Sequence, residues 1–450
     1  MSSVTLKINR EYVCDVLVCG GGVSGFSAAV SAARSGADVI LVEPGGFLGG
    51  TATKGMVGPF MTCYDAAGKN RIIRGLFEEL VERLVSEGGA VSYLDCPGSD
   101  SRSGYRTSGH IGVTPFDIEA LKRVTEAMCL EAGVRLLYHN TAVGCDTDGG
   151  RHITRVYTAD SEGINAIDAL VFIDATGCAA LAAKAGAGTM RGDEDGFVQT
   201  SSMFFTISGV DKEELDKHMY LDGDMRRRFY MDEIEEAKSE GRFSGGTLKL
   251  RIFEGLGGIW VVNMAQHDDP YNELDSGELT KVEISQRLQI LQIFNWMKET
   301  VPALKNIKLV ATASDMGIRE SRRIIGRKIF TGEDIMNAVL FDDRIAVCAN
   351  SIDIHQKVGV SYSTYKAESN YSIPLGALIS RDIDNLMAAG KCLSADKYAF
   401  AAVRVMPPCI AMGEAAGITA AIAALDGIDV CDVPAESVQV EIAARGGYLE

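Results

Sequence analysis

Residues 15–43 read DVLVCGGGVSGFSAAVSAARSGADVILVE, and this stretch decides the fold. DVLVC at 15–19 is an apolar run of the kind that forms a strand buried on both faces. VSGFSAAVSAARSG at 23–36 is a helix of small residues that stops at Gly36, and ADVILVE at 37–43 is a second apolar strand. Strand, glycine turn, helix and strand make a βαβ unit, whose right-handed crossover requires a parallel sheet. Within the turn, Gly20, Gly22 and Gly25 fit G-x-G-x-x-G. The first permits the tight turn, the second lets the backbone approach a pyrophosphate, and the third lets helix and strand pack closely. Val23 and Ser24 open the helix, where unpaired N–H groups favour a phosphate. Glu43 ends the second strand, where a carboxylate accepts both ribose hydroxyls of an adenosine and repels a 2′-phosphate. Together these features predict a bound dinucleotide.

Working outward, GGTATKG at 49–55 sets Gly49, Gly50 and Thr51 just beyond the acidic strand end. Such a turn can lay backbone N–H groups along the rest of an extended dinucleotide; an ordinary glycine loop explains it equally well. The rest of the composition bounds the answer. A chain of 450 residues is expected to hold about two or three domains. With 49 Gly and only 10 Pro and no collagen period, it reads as a large α/β protein with many tight backbone approaches. A net charge of −17 makes nucleic acid a poor partner. The 11 cysteines are odd in number, and no two stand at CxxC spacing. Neither a disulfide framework nor a metal site is signalled. No apolar run follows a basic segment at the start, and the longest apolar stretch, near 415–425, reads as too short to cross a membrane. The expectation is a cytoplasmic protein with no membrane partner.

Along the chain, 72–89 and 115–133 are amphipathic helices, the second with Pro115 in its first turn. The polar stretch 95–110 between them reads as a surface loop or flap. Strands are predicted at 134–139, 141–146, 152–160 and 169–177. From 197 to 312 the pattern changes to an α+β mixture, with strands QTSSMFFTISG, TLKLRIF and GIWVVNMAQ. Helices are expected at DKEELDKHM, RRRFYMDEIEEAKSEG and KVEISQRLQILQIFNWMKET. A short strand within 384–393 and a small-residue helix over 407–427 follow. TGED at 331–334 fits a capping box.

Several stretches carry a family resemblance: 15–43, GFLGGTATKGMVGPF (46–60), LVFIDATG (170–177), GIRESRRIIGRKIFTGEDI (317–335), IDIH (352–355) and DNLMAAGKCLSADKYAFAAVRVMPPCIAMGEAAG (384–417). On these the chain resembles the FAD-dependent oxidoreductase superfamily that includes glutathione reductase and succinate dehydrogenase flavoproteins. More narrowly it resembles the broad bacterial family of FAD-dependent oxidoreductases, some of whose members carry the label xanthan lyase. The resemblance implies an α/β fold with a discontinuous, Rossmann-like (doubly wound) FAD-binding domain, residues 1–196 and 313–450. An inserted α+β substrate domain, 197–312, would lie between the two parts. It implies that Val143 meets the adenine through its backbone, that Ala175, Thr176 and Gly177 close near the ADP half, and that Gly390 and Lys391 reach the ribityl and pyrophosphate part. Arg404, Met406 and Pro407 would lead a helix N-terminus to the flavin ring, where it stabilises negative charge. The chain departs from the family's habit at Cys178, where Asp is frequent, and at Pro408, where Thr is frequent.

Because flavin carries the hydride, the protein need supply only a proton handler and charge stabilisation. Arg319, Arg322 and Arg323 can clamp an anion, or they can be a basic strand paired with Glu320 and solvent. His355 is the candidate acid/base, against a structural histidine in a turn. Arg404 can meet flavin or substrate, or cap and salt-bridge. Cys409, near a helix start, would have a lowered thiol pKa if partly exposed, but without a partner cysteine it reads as structural. The expectation is therefore a two-electron oxidoreductase acting on a small molecule, dimeric by family habit. Its rivals are a non-redox dinucleotide enzyme of the thiazole-forming kind, a tRNA-modifying flavoprotein, and a flavin-binding subunit with no substrate of its own.

Overall fold

The computed structural model describes residues 5, 7–61, 63–92, 112–193, 196–219, 225–245, 248–354, 363–365 and 368–450. Its main sheet is built around β1 (Ile8–Cys19), which leads through α1 (Val23–Arg34) into β2 (Val39–Glu43). Two helices, α2 (Leu76–Ser86) and α3 (Ile118–Glu131), precede β3 (Arg135–Tyr138), β4 (Thr141–Thr147), β5 (Ile153–Asp160) and β6 (Gly163–Asp174). β3, β2, β1 and β6 run parallel. The other edge of β6 is shared: β5 pairs antiparallel with its first half, and a late strand (Leu386–Ala388) pairs parallel with Phe172–Asp174. The predicted βαβ unit and parallel sheet are present.

β1 shows why the apolar run had to be continuous. Val16 and Val18 pack into a core with α1, α2 and α3, while Leu17 and Cys19 face a second core with Ile153, Val156 and Ile167 of the antiparallel β4–β5–β6 strands. One face of the parallel sheet is thus covered by helices, and the other by its own antiparallel extension.

Residues 201–312 form a second, antiparallel sheet of β7 (Ser201–Ser208), β8 (Ile252–Glu254), β9 (Trp260–His267) and β10 (Lys308–Thr312), in the order β10-β7-β9-β8. α4 (Ser276–Thr300) follows β9 in sequence and buries Ile290, Ile293, Trp296 and Met297 against Met203, Phe205 and Ile207. Asp275 caps it by accepting from the Glu278 N–H at 2.8 Å.

Three local expectations are corrected. α3 begins at Ile118, not at Pro115, because Asp117 accepts from the Ala120 N–H at 2.7 Å and supplies the cap. The helix expected over RRRFYMDEIEEAKSEG is broken at Tyr230, which takes a left-handed φ of 52°. The helix expected over 407–427 is present as α5 (Met406–Asp426), but the reading of its apolar stretch as too short to cross a membrane is corrected, since α5 is long and apolar enough to do so. However, 83% of its most apolar window is buried inside the fold. Gly413 and Gly417 press it onto the backbone of α1, where a Cβ on either would collide with the carbonyls of Ser24 and Ala28. The capping box at Thr331 and Asp334 is formed.

Candidate cofactor site

Sterics dictate the glycine turn. Gly20 takes φ +100°, and a Cβ there would stand 2.6 Å from the Ala175 carbonyl oxygen. Gly25 lies directly against the Gly20 carbonyl, leaving no room for a side chain. Gly22 differs, since nothing lies within 4 Å of where its Cβ would be. It is also the N-cap of α1, which has no side-chain cap and no acidic residue in its first turn. An open cradle thus faces unpaired N–H groups at a positive helix end.

The second glycine cluster docks on the first. The Gly49 N–H donates to the Gly21 carbonyl at 2.9 Å, and Gly22 and Gly49 form a parallel bridge. Gly50 takes φ +52°, and a Cβ on it would stand 2.9 Å from the Gly22 Cα. Gly50 is thus required by a close approach to the Gly22 backbone, and Gly49, at φ +102°, by the Thr53 side chain packed against it. Thr51 follows, its carbonyl accepting from Val57 N–H at 3.0 Å.

Glu43 is only 4% exposed. Its carboxylate accepts from the Gly21 N–H at 2.8 Å and the Gly45 N–H at 2.7 Å, and it also pairs with the Lys54 ammonium. A carboxylate has about four acceptor directions, so the ribose of an adenosine would share Glu43 by turning Lys54 aside. The strand ends beside it are tied down by Asn140 N–H to the Glu43 carbonyl at 3.1 Å. Nearby, Val143 stands at a bulge in the β4–β5 ladder, between Ala142 and Gly144, and is 42% exposed. Its main chain is out of register with β5 there.

A second helix end converges on the same place. α5 starts at Met406 with Pro407 and Pro408 in its first turn, no side-chain cap and no acidic residue. Gly390, at φ +65°, is wedged between the two helix ends, where a Cβ would meet the Ser24 side chain on α1 and stand 3.6 Å from Cys409 Sγ. Cys409 is buried, and burial pushes its thiol up to about 12 despite Lys391 and Arg404 nearby. The lowered thiol expected for partial exposure does not arise. Ala175 closes the turn through its N–H to the Cys19 carbonyl at 2.9 Å. Thr176 is engaged with Asp174, its hydroxyl donating at 2.7 Å. Gly177 takes φ +76°, with the Lys391 side chain packed over it. The Lys391 ammonium donates to the Ile318 carbonyl at 2.7 Å, and burial lowers its pKa.

Residues 317–323 form the seam between this cradle and the second sheet. Gly317 bridges to Ser202 on β7, and Arg319 donates to the Thr200 carbonyl at 2.6 Å. Glu320 and Arg323 make a buried ion pair. Glu320 also accepts from Gln199 N–H at 3.1 Å, while Arg323 donates to the Gly192 carbonyl at 3.2 Å and lies over the Phe400 ring. Arg322 turns the other way and donates from Nε to the Cys178 carbonyl at 3.0 Å. The motif is therefore divided: Arg323 is structural, Arg319 binds the second sheet, and Arg322 reaches the cradle. Arg404 donates to the Asp353 carbonyl at 3.1 Å, from the strand that precedes position 355. His355 and the 95–110 stretch lie outside the described residues. Lys54 escaped the sequence reading, since its partner Glu43 lies on another element; the pairing with Glu320 weighed there is met by Arg323.

The family model described as FAD dependent oxidoreductase matches residues 15–442. The chain belongs to this family. No curated protein matches it. Among solved structures it is similar to a geranylgeranyl bacteriochlorophyll reductase-like protein from Thermoplasma acidophilum (14% identity, 96% of this chain and 83% of that chain, TM-score 0.44). It is also similar to BexE, an oxidation protein of BE-7585A biosynthesis (13%, 97% and 70%, TM-score 0.48). A third is p-nitrophenol 4-monooxygenase PnpA from Pseudomonas putida (11%, 97% and 85%, TM-score 0.46).

This FAD-dependent oxidoreductase carries the donors its cofactor needs. The open space at Gly22 and the uncapped end of α1 suit the diphosphate, Glu43 suits the ribose, and the Val143 bulge suits the adenine. The uncapped end of α5 suits the electron-rich edge of the ring system. Among the described residues every cysteine is free. His152, Asp384 and Asp429 could gather round a metal ion, but Arg151 and Arg327 already neutralise Asp384.

Proposed function

We propose that this flavoenzyme moves two electrons, as hydride, between a small organic substrate and an acceptor. The observation that carries the reading is the convergence of two uncapped helix ends, those of α1 and α5, on one glycine-lined cradle. Bound FAD supplies hydride acceptance and donation. The chain supplies the rest. The glycine turn and α1 hold the diphosphate, and Glu43 orients the adenosine end. The N–H groups at the start of α5 favour negative charge on the ring edge they face.

We assign residues 197–312 as the substrate-facing unit, with 1–196 and 313–450 as the cofactor unit. Arg319 and Arg322 are assigned to substrate orientation, since they sit on the seam, and His355 to proton transfer. Net charge of −17 and the burial of α5 support a cytoplasmic protein without nucleic-acid or membrane partners; a homodimer is the assigned state.

The test is the visible spectrum of the natively purified protein before and after acid precipitation, followed by a substrate screen scored by flavin bleaching. The expected result is a flavin released by acid and bleached by a small-molecule donor in the wild type, and at least ~10²-fold more slowly in His355→Ala. A flavin that no donor bleaches and, once reduced, no acceptor reoxidises would overturn the reading.

A further inference from the structure

We propose that Arg322, Lys391 and Arg404 form a binding site for a carboxylate group of the substrate. The inference deepens the oxidoreductase reading above and rests on it for the identity of the site.

Three observations carry it. First, the three cations lie together. Lys391 packs over Gly177, Arg322 is bonded to the carbonyl of Cys178, the next residue, and Gly390, next to Lys391, lies against Cys409 in the first turn of α5, the helix that Arg404 leads into. Second, among the described residues Arg322 and Lys391 have no carboxylate partner and Arg404 has only a distant one, in a chain rich in carboxylates. Elsewhere on the seam and beside it, Arg191 is held by Glu273, Arg323 by Glu320 and Lys397 by Asp193. Among the described residues, Arg322 and Lys391 have only main-chain carbonyls as partners. Arg404 has one half-exposed carboxylate, Asp353, at 3.8 Å, and its Nε is buried without an acceptor. Burying cations without anions is unfavourable, so the cluster is suited to an anion from outside the chain. Third, on β7, whose Ser202 bridges to Gly317 of the same seam, the Ser202 hydroxyl is another buried polar group without a partner.

The chemistry narrows the anion. The diphosphate of the cofactor is already served by the open cradle at Gly22 and the end of α1. Two guanidinium forks match the planar, bidentate geometry of a carboxylate. Lys391 adds charge without directionality. The site would therefore orient a carboxylic acid with its reacting carbon toward the ring.

The experiment uses the FAD-loaded protein, oxidised and without turnover. Acetate, succinate and glutarate are titrated at constant ionic strength while the flavin band is followed, with chloride as the control. The expected result is a saturable band shift for at least one carboxylate and none for chloride. Arg322→Gln and Arg404→Gln should each weaken that binding by about tenfold or more, and by a clearly larger factor than either weakens FAD binding. Arg404→Lys keeps the charge and removes the fork; it should fold as wild type and still lose most of the carboxylate response. The proposal is overturned if no carboxylate shifts the band. It is equally overturned if the variants lose FAD and carboxylate affinity by the same factor, which would assign the cations to the cofactor. Because the titration needs no turnover, a negative result leaves the hydride reading standing. A protein that binds carboxylates but never cycles its flavin contradicts only the hydride reading.

Discussion

Glu414 offers a sharp test of how the cradle is held, because its charge works against the fold. It sits on α5, 4% exposed, and its carboxylate accepts from the Leu76 N–H at 3.2 Å, capping α2 from outside. Position 75 there must be glycine, since it takes φ +62° and a Cβ would stand 2.7 Å from the Glu414 carboxylate. Burial is the largest influence and pushes the carboxyl from 4.5 up to about 7. The Leu76 N–H, Arg445 and Arg34 pull it down, and Glu79 pushes it up, without reversing the shift. A folded-state value above the unfolded one means the native state binds the proton more tightly. Stability is then greatest below about pH 4.5, falls as pH rises, and has lost its full contribution above about pH 7. About 2.5 units at 1.36 kcal/mol each amount to ~3 kcal/mol. Glu414→Gln removes the charge and keeps an oxygen for Leu76. It should match the wild type near pH 5 and exceed it by ~2–3 kcal/mol near pH 8, after ~1 kcal/mol is allowed for an imperfect amide. Urea midpoints of the FAD-loaded protein across that range measure it. A variant less stable than wild type at pH 8 would show that Arg34 and Arg445 outweigh desolvation, and the reasoning would fail.

Three further outcomes are expected. Gly413→Val would force α5 off the α1 backbone at Ser24, with a loss of ~3 kcal/mol or more and weaker FAD binding, read by melting and by flavin fluorescence; unchanged FAD affinity would separate the helix contact from the cradle. Lys54→Met frees the Glu43 oxygen that a ribose needs, so FAD should bind ~3–10-fold tighter by fluorescence titration, and weaker binding would mean that Lys54 itself serves the cofactor. Arg323→Met leaves Glu320 buried without its partner and should cost ~3–5 kcal/mol in denaturant unfolding. Glu320→Gln in the same chain should recover part of that loss if the unpaired charge is its cause.

The βαβ unit was legible because its determinants are local: a turn that admits only glycine at Gly20, an uncapped helix start at Gly22, and a carboxylate at a strand end. The second cluster was ambiguous because Gly50 is required by Gly22, an element away, and a local pattern cannot show a tertiary clash. The start of α3 was misplaced at Pro115 because the reading followed a favourable φ, whereas Asp117 supplies the side-chain oxygen that caps the first turn. Glu414 gave no signal at all, since its partner lies 338 residues away. The arginines of 317–323 show the same limit at the site itself. Arg319, Arg322 and Arg323 share a residue type and a short stretch of chain, so sequence assigns them one role or none. In the fold, Arg323 finds Glu320 and becomes a strut, Arg319 fastens the second sheet, and Arg322 turns to the Cys178 carbonyl, next to the glycine that Lys391 covers, with no carboxylate among the described residues. Residue type supplied the charge on all three; the presence or absence of a carboxylate partner separates the strut from the cation left to receive an anion.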